Sequence, residues 1–253
     1  INTRNIKVSA DLPTSFTDVY TVEKSGERTF FQNRGANAEF SPEDVDLDSL
    51  GSGILHIGYI LLLDRYDQIL SGGKTVMSEF LMRAQSKGIK TSIDVVSEQS
   101  ERFASVVRPA LPYINYLILN KTESGMIAGI PPRDEDGKID EKNIERICLY
   151  FGEAGVRDLA VIHAPEGSYC MGRDGCLQFC PAAELPEGSI KGKVGAGDAF
   201  TAGILYALCE GATEAEAMRL ANAAAAMSLL GGGVQHGVGS AEKALSIYKK
   251  YNG

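Results

Sequence analysis

The feature that most constrains the fold of this chain is an alternation of short apolar runs with helical patterns. Short apolar runs occupy residues 54–57, 116–119 and 159–162, a further strand pattern occupies residues 89–96, and helical patterns between these segments occupy residues 75–86, 103–111 and 141–154. Strands that are apolar along their whole length and separated by helices are typical of a mainly parallel sheet with both faces covered. The sequence therefore predicts an α/β fold with a mainly parallel central sheet covered by helices on both faces.

Length, charge and cysteine content limit the class of protein. A chain of 253 residues with 44% hydrophobic residues can bury one large α/β core. A formal net charge of −8 argues against nucleic acid or an anionic membrane surface as the main partner. The chain has no long apolar run or signal-peptide pattern, and its five irregularly spaced cysteines suggest reduced thiols. We therefore expect a cytoplasmic protein with no nucleic-acid or membrane partner; since Ile1 is not a methionine, we expect the natural start to lie upstream.

A small-residue motif opens the helical C-terminal third. Gly195-Ala196-Gly197-Asp198 stands directly before a long helical pattern. Small residues allow close backbone approach to a ligand, and a helix N-terminus presents unpaired N–H groups that attract anions. An acid at this position fits proton abstraction from an attacking hydroxyl while the N–H groups stabilise a transferred phosphoryl group. The alternative is an Asp that only caps the helix.

The wider stretch resembles the C-terminal signature of the ribokinase-like (PfkB) family of carbohydrate kinases. It adds Ala199-Phe200 and Ala202-Gly203 to the four-residue motif. The resemblance implies that Asp198 is the catalytic base, that the backbone of Gly195, Ala196 and Gly197 forms an anion hole, and that ATP is the phosphate donor. Where the family usually has Asp-Thr, this chain has Gly192-Lys193. We therefore expect Lys193 to contact the β- or γ-phosphate, because an ammonium suits phosphate as a point charge.

Asn120-Lys121-Thr122-Glu123 resembles the family's Asn-x-x-Glu motif. The resemblance implies that Asn120 and Glu123 help to position Mg²⁺, a hard cation that prefers oxygen ligands and keeps several waters. The alternative is a helix start with Glu123 favourably placed in the first turn. Asp94 is similar to an acid that the family often carries at a strand end, although it too could be a cap. A requirement for a monovalent cation such as K⁺ stays open.

The resemblance also implies a nucleotide site. It places Gly167 in a turn that lines this site, although Ala164 stands where the family has an earlier glycine. The adenine pocket is expected between the helix near Asn222 and the glycine-rich loop at 231–239, including Gly233. Close helix packing explains the neighbouring alanines equally well.

Residues 17–32 read as a hairpin with a turn at 24–27. With Gly35-Ala36-Asn37, this region resembles the family's β lid, which implies that Asn37 binds the sugar and that the protein is a homodimer through the lid. An ordinary surface hairpin is the alternative. The expected organisation is a partial lid region at residues 1–40 and an α/β kinase core at 41–253.

The predicted function is ATP-dependent phosphorylation of a hydroxyl on a small sugar. A nucleoside kinase of the same fold and a non-catalytic sugar or nucleotide sensor remain alternatives. His56 and His163 lie in apolar runs and are expected to be core or wall residues. The absence of a GxGxxG motif between a strand and a helix argues against an NAD enzyme.

Overall fold

The computed structural model describes residues 2–22, 28–51, 53–96, 100–231 and 237–252. Within these ranges the strands are β1 (Phe16–Thr21), β2 (Arg28–Asn33), β3 (Ile54–Ile60), β4 (Lys90–Val95), β5 (Tyr116–Asn120), β6 (Leu159–Ala164), β7 (Gly167–Gly172) and β8 (Leu177–Pro181). The helices are α1 (Val76–Ser86), α2 (Phe103–Val107), α3 (Lys121–Ala128), α4 (Glu141–Glu153), α5 (Ala196–Cys209), α6 (Glu214–Leu230) and α7 (Ala241–Asn252).

The central sheet has six strands in the order β3-β4-β5-β6-β7-β8. Strands β3 to β6 pair in parallel, whereas β7 and β8 complete the sheet as an antiparallel edge. A two-residue turn joins β6 to β7, since Ala164 pairs with Gly167. The predicted mainly parallel sheet is confirmed.

Helices cover both faces of this sheet. On β5, Leu117 and Leu119 pack into the core under α1 to α4, whereas Ile118 packs into the core under α5 to α7. Side chains of this size each contribute about 1.5–3 kcal/mol when they leave water. Buried aromatic rings anchor both layers, among them Phe151 of α4 and Phe200 of α5. The two separate cores explain why β5 and β6 carry apolar side chains on both faces.

The helix predicted at residues 103–111 is shorter than expected. Helix α2 ends at Val107, and residues Arg108–Tyr113 continue as a 3-10 helix with Pro112 inside it. Proline lacks an amide hydrogen and clashes with the preceding turn of an α-helix. Two prolines within this segment, Pro109 and Pro112, therefore end the α-helix early. Among the described residues, no helix combines the length and apolar character that crossing a bilayer requires.

A second, small sheet consists of β1 and β2 in antiparallel pairing, from Phe16 opposite Asn33 to Thr21 opposite Arg28. The expected turn at 24–27 lies outside the described residues. Two contacts tie the base of this sheet to neighbouring chain: Ala36 N–H donates to Pro13 O (2.8 Å), and Arg34 forms an ion pair with Asp64. All of β1 is exposed, including apolar side chains on both faces.

Candidate active site

The parallel strands end at one edge of the central sheet, and polar side chains collect there. Tyr59, Asp94, Asn120 and His163 occupy the last or next-to-last positions of β3, β4, β5 and β6. Since Ile60 pairs with Val95 and Asn120 pairs with His163, these positions lie side by side along the edge. Ligands in open α/β sheets bind outside the carboxyl ends of the strands.

The N-terminus of α5, at which the sequence predicts an anion hole, faces this edge, since Asp198 of its first turn contacts Tyr59 of β3. Gly195 is the N-cap, and its φ of 84° lies in the left-handed region that glycine adopts without steric cost. The first helical hydrogen bond joins Ala199 N to Gly195 O at 2.9 Å. The amides of Ala196, Gly197 and Asp198 therefore have no acceptor within the helix. A helix end of this kind attracts anionic groups such as phosphate.

Asp198 stands in the first turn of α5 and its side chain is exposed. The Tyr59 hydroxyl donates a hydrogen bond to Asp198 Oδ1 at 2.6 Å. Burial and then this hydrogen bond raise the pKa of Tyr59, so the phenol remains protonated and acts as the donor. The apolar run predicted at residues 54–57 is followed by Gly58, and Tyr59 was not predicted as a site residue. The signal available was a polar aromatic residue immediately after that glycine.

The charges of three carboxyl groups, those of Asp94, Glu123 and Asp198, influence one another at this edge. The pKa of Asp94 is raised to about 7 by burial, and then by the charges of Glu123 and Asp198. The Val95 amide, which donates to Asp94 Oδ1 at 2.7 Å, lowers this pKa in part. Burial of the His56 ring lowers its pKa, whereas the Asp198 charge raises it. The edge is thus a region of negative potential, which a bound cation would relieve.

Asn120 and Glu123 cap the N-terminus of α3 reciprocally, as a capping box. The Asn120 side chain accepts from the amides of Thr122 and Glu123, and the Glu123 carboxylate accepts from the Asn120 amide at 3.0 Å. Glu123 is buried at 4% exposure. No group of three metal-ligating side chains occurs in the described part of the chain. The donor set still suits Mg²⁺, because this ion is commonly held by one or two carboxylates, waters and substrate phosphates.

A cavity of about 570 Å³ opens beside Asp198. One face of α5 lines it with Asp198, Ala202 and Tyr206, and one face of α6 lines it with Leu220, Ala224 and Met227. The remaining wall is the chain at 238–244, which leads into α7. Small-molecule sites are mostly apolar clefts of about 300–1,000 Å³ with a few polar groups. This cavity fits that description, with the carboxylate of Asp198 at one end.

Two residues that the sequence predicts to bind the nucleotide, Asn222 and Gly167, lie away from this cavity. Asn222 projects from the opposite side of α6, where its side-chain amide donates to Ser168 Oγ, Cys180 O and Pro181 O at 3.0–3.1 Å. It therefore joins α6 to the antiparallel edge of the sheet. Gly167 is buried beneath β8, and a Cβ there would lie 2.4 Å from Cys180 O. Neither residue belongs to the cavity lining among the described residues.

The remaining predicted residues have varied positions. Lys193 is exposed two residues before the N-cap of α5. Asn37 is exposed on the 3-10 turn after β2, and its amide donates to Arg34 O at 3.0 Å. Gly233 lies outside the described residues. His163 is a wall residue, as expected: its ring packs against Phe200 with centroids 4.8 Å apart.

Comparisons with known proteins agree with this architecture. The chain is similar to a ribokinase from Thermotoga maritima (TM-score 0.72, 23% identity, covering 96% of this chain and 72% of that one). It is also similar to an Arabidopsis thaliana ribokinase complexed with ribose and ATP (TM-score 0.70, 18% identity, covering 94% of this chain and 70% of that one). A Burkholderia thailandensis nucleoside kinase in complex with inosine has the same TM-score of 0.70 (16% identity, covering 100% of this chain and 74% of that one). The model of the pfkB family of carbohydrate kinases matches residues 1–240. With this match over nearly the whole length, the chain belongs to the pfkB family of carbohydrate kinases.

Proposed function

We propose that this protein transfers the γ-phosphoryl group of ATP to a hydroxyl of a small sugar. The observation that carries the proposal is the position of Asp198, which lies both in the first turn of α5 and at the end of the α5–α6 cavity. A base, an anion-binding helix end and an apolar cleft therefore meet at one point. This is the combination that phosphoryl transfer to a hydroxyl requires.

In the proposed reaction the residues of α5 have two roles. The Asp198 carboxylate accepts the proton of the acceptor hydroxyl, whose oxygen bonds to the γ-phosphorus. The bond from that phosphorus to the oxygen bridging to the β-phosphorus breaks, and ADP leaves with the electron pair. The amides of Ala196, Gly197 and Asp198 stabilise the negative charge on the transferred group. The left-handed Gly195 allows the helix to begin directly beneath the phosphate.

The lining of the cavity supports one orientation of the bound nucleotide. Asp198, Ala202 and Tyr206 follow one another at four-residue spacing on the cavity face of α5, so Tyr206 lies about 12 Å along the helix from the base. Phosphates at the α5 N-terminus would place the adenine between Tyr206 and Ala224. Ala202 leaves room for the middle of the molecule.

Magnesium would be held at the edge of the sheet. Asn120, Glu123 and Asp94 surround the phosphate path with oxygen atoms, and the ion when bound would neutralise phosphate charge. Burial first, and then the charges of Glu123 and Asp198, raise the pKa of Asp94 to about 7, and a bound cation would offset those two charges.

Lys193 is proposed to contact the β- or γ-phosphate. Its side chain is exposed close to the anion-binding end of α5. Lys193→Met should raise the ATP KM and increase the Mg²⁺ requirement. Wild-type values for both quantities would refute this role.

The small sheet of β1 and β2 is proposed as a lid over the acceptor and as a dimer contact, with Asn37 near the sugar. Phe16, Tyr20 and Phe31 share one exposed face by their register, and Tyr20 and Phe31 meet edge-to-face at 5.5 Å. A two-stranded sheet is marginal by itself and gains stability when such a face is covered. Sedimentation of the wild type and of Phe31→Asp would test the dimer; identical masses would contradict it.

A nucleoside acceptor is the second candidate. It is favoured by the equal fold similarity to the nucleoside kinase solved with inosine. ADP release from Mg·ATP should therefore be measured against sugars and nucleosides, with Asp198→Asn alongside. Loss of turnover by a factor of about 10² or more in the variant is expected for a positioned general base. Turnover that survives in the variant would mean that Asp198 is not the base, and ATP binding without turnover would favour a sensor.

A further inference from the structure

Tyr59 lies at an irregularity of the first core strand. Ile57 pairs with Ile93 and Ile60 pairs with Val95, so β3 contains one residue more than β4 over the same interval. Bulges of this kind redirect a side chain and are frequent next to active sites. The bulge therefore explains how a strand residue comes to point at the N-terminus of α5.

The backbone here is strained as well as bulged. Tyr59 has a φ of 60° and Leu61 a φ of 87°, and these are the non-glycine residues with positive φ in the described ranges. Left-handed backbone is unfavourable for bulky side chains and persists only where the surroundings enforce it. Such strain tends to occur where a side chain has a functional position to keep.

The surroundings of Tyr59 do enforce this conformation. Ile60 and Leu61 are fully buried, and the Leu61 amide donates to Asp67 Oδ1 at 3.1 Å. Arg102 donates to Leu61 O at 2.9 Å. The chain that follows Tyr59 is therefore fixed in the core, while the Tyr59 side chain itself remains 44% exposed.

The strained segment delivers one hydroxyl to one carboxylate oxygen. Tyr59 Oη lies 2.6 Å from Asp198 Oδ1, across 139 positions of sequence. Both side chains are exposed, so their hydrogen bond contributes little to folding compared with a buried one. Its more specific effect is geometric: a donor on Oδ1 restricts the rotation of the carboxylate and leaves Oδ2 as the oxygen that can accept a proton.

We propose that Tyr59 is a positioning residue that orients the Asp198 carboxylate for proton abstraction. This inference rests on the proposed function, in which Asp198 is the base. Tyr59 touches the base and acts through it. A phenylalanine keeps the ring and removes only the donor.

The test compares Tyr59→Phe with the wild type, using ATP with D-ribose and with inosine as acceptors. We expect kcat to fall about tenfold to a hundredfold, the scale of a hydrogen bond to a charged group. The KM values for ATP and acceptor should stay within about twofold of the wild type. Tyr150→Phe, which removes a hydroxyl from α4, is the matched control and should leave all values unchanged.

Other outcomes separate this inference from the function on which it rests. If Asp198→Asn is inactive while Tyr59→Phe keeps the wild-type kcat, the positioning role alone is overturned. A higher acceptor KM with unchanged kcat would also overturn it, since Tyr59 would then bind the acceptor. Full activity in Asp198→Asn would show that Asp198 is not the base and would overturn this inference with it, whereas no wild-type turnover with any member of a panel of sugars and nucleosides would refute the proposed function. With ring-labelled tyrosine, the NMR signal lost in Tyr59→Phe should move in Asp198→Asn; an unmoved signal would show that the contact does not exist.

Discussion

Replacing Gly203 by alanine should weaken both the fold and nucleotide binding, because α5 and α6 touch at this residue. A Cβ on Gly203 would lie 2.7 Å from Ala221 Cα, 3.1 Å from Ala221 N and 3.2 Å from Leu220 O. All three atoms belong to the backbone of α6, so no side-chain rotation can relieve the overlap. Helix α6 must move, and it carries Leu220, Ala224 and Met227 of the cavity wall.

The magnitude follows from two opposing effects. Overpacking of a tight contact costs about 1–3 kcal/mol, and a distance of 2.7 Å points to the upper end. Alanine regains about 1 kcal/mol of helix propensity over glycine. The net loss in free energy of unfolding is therefore about 2 kcal/mol, or about 4–8 °C in Tm for a chain of this size. The displaced α6 should also raise the ATP KM.

Gly152 is a matched control within another helix. It lies near the end of α4 and is exposed, and a Cβ added there would meet no atom of the described residues within 4 Å. Gly152→Ala should therefore raise Tm by about 1–4 °C through propensity alone. Thermal unfolding of both variants, with ATP titrations, tests the reasoning. Equal shifts of the same sign would show that helix packing at Gly203 does not decide the outcome.

Three further predictions concern residues around the site. Burial and the Lys121 charge lower the pKa of His163 to about 4, so between that value and the ordinary 6.5 the unfolded chain binds more protons. The free energy of unfolding should therefore fall as pH drops through this window. In urea titrations at pH 7 and pH 4.5, His163→Phe should make this fall smaller by about 2 kcal/mol. Tyr206→Ala should raise the ATP KM about tenfold if adenine stacks there, with Tyr206→Phe close to wild type in the same assay. Asn222→Ala should lower the free energy of unfolding by about 2 kcal/mol, because its hydrogen bonds are lost, while the ATP KM stays within about twofold of the wild type. A large rise in the ATP KM would instead indicate that Asn222 binds the nucleotide.

Local features of the site could be predicted from sequence. The reciprocal cap of Asn120 and Glu123, the left-handed Gly195 and the capping box of Thr213 and Glu216 each depend on residues within one helical turn. The parallel sheet was also predictable, because burial on both faces leaves an unbroken apolar run. In these cases the interacting groups are neighbours in the chain.

The face of α6 that lines the cavity could not be predicted. Its alanine-rich sequence has no single apolar stripe, because the helix packs against α5 on one side and the sheet edge on another. Asn222 therefore had no pattern to place it, and only the tertiary structure shows that it holds β8 rather than lining the cavity.

By itself, the sequence determined the α/β architecture, the helix that carries Asp198 and the small residues at the start of that helix. Only the tertiary structure decided that Tyr59 meets Asp198 and that α5 and α6 enclose a cavity beside it. The physical reason is the range of the interactions. Periodicity and capping act between near neighbours, whereas a bulge, a strained φ and a contact across 139 positions arise only when separate elements pack together.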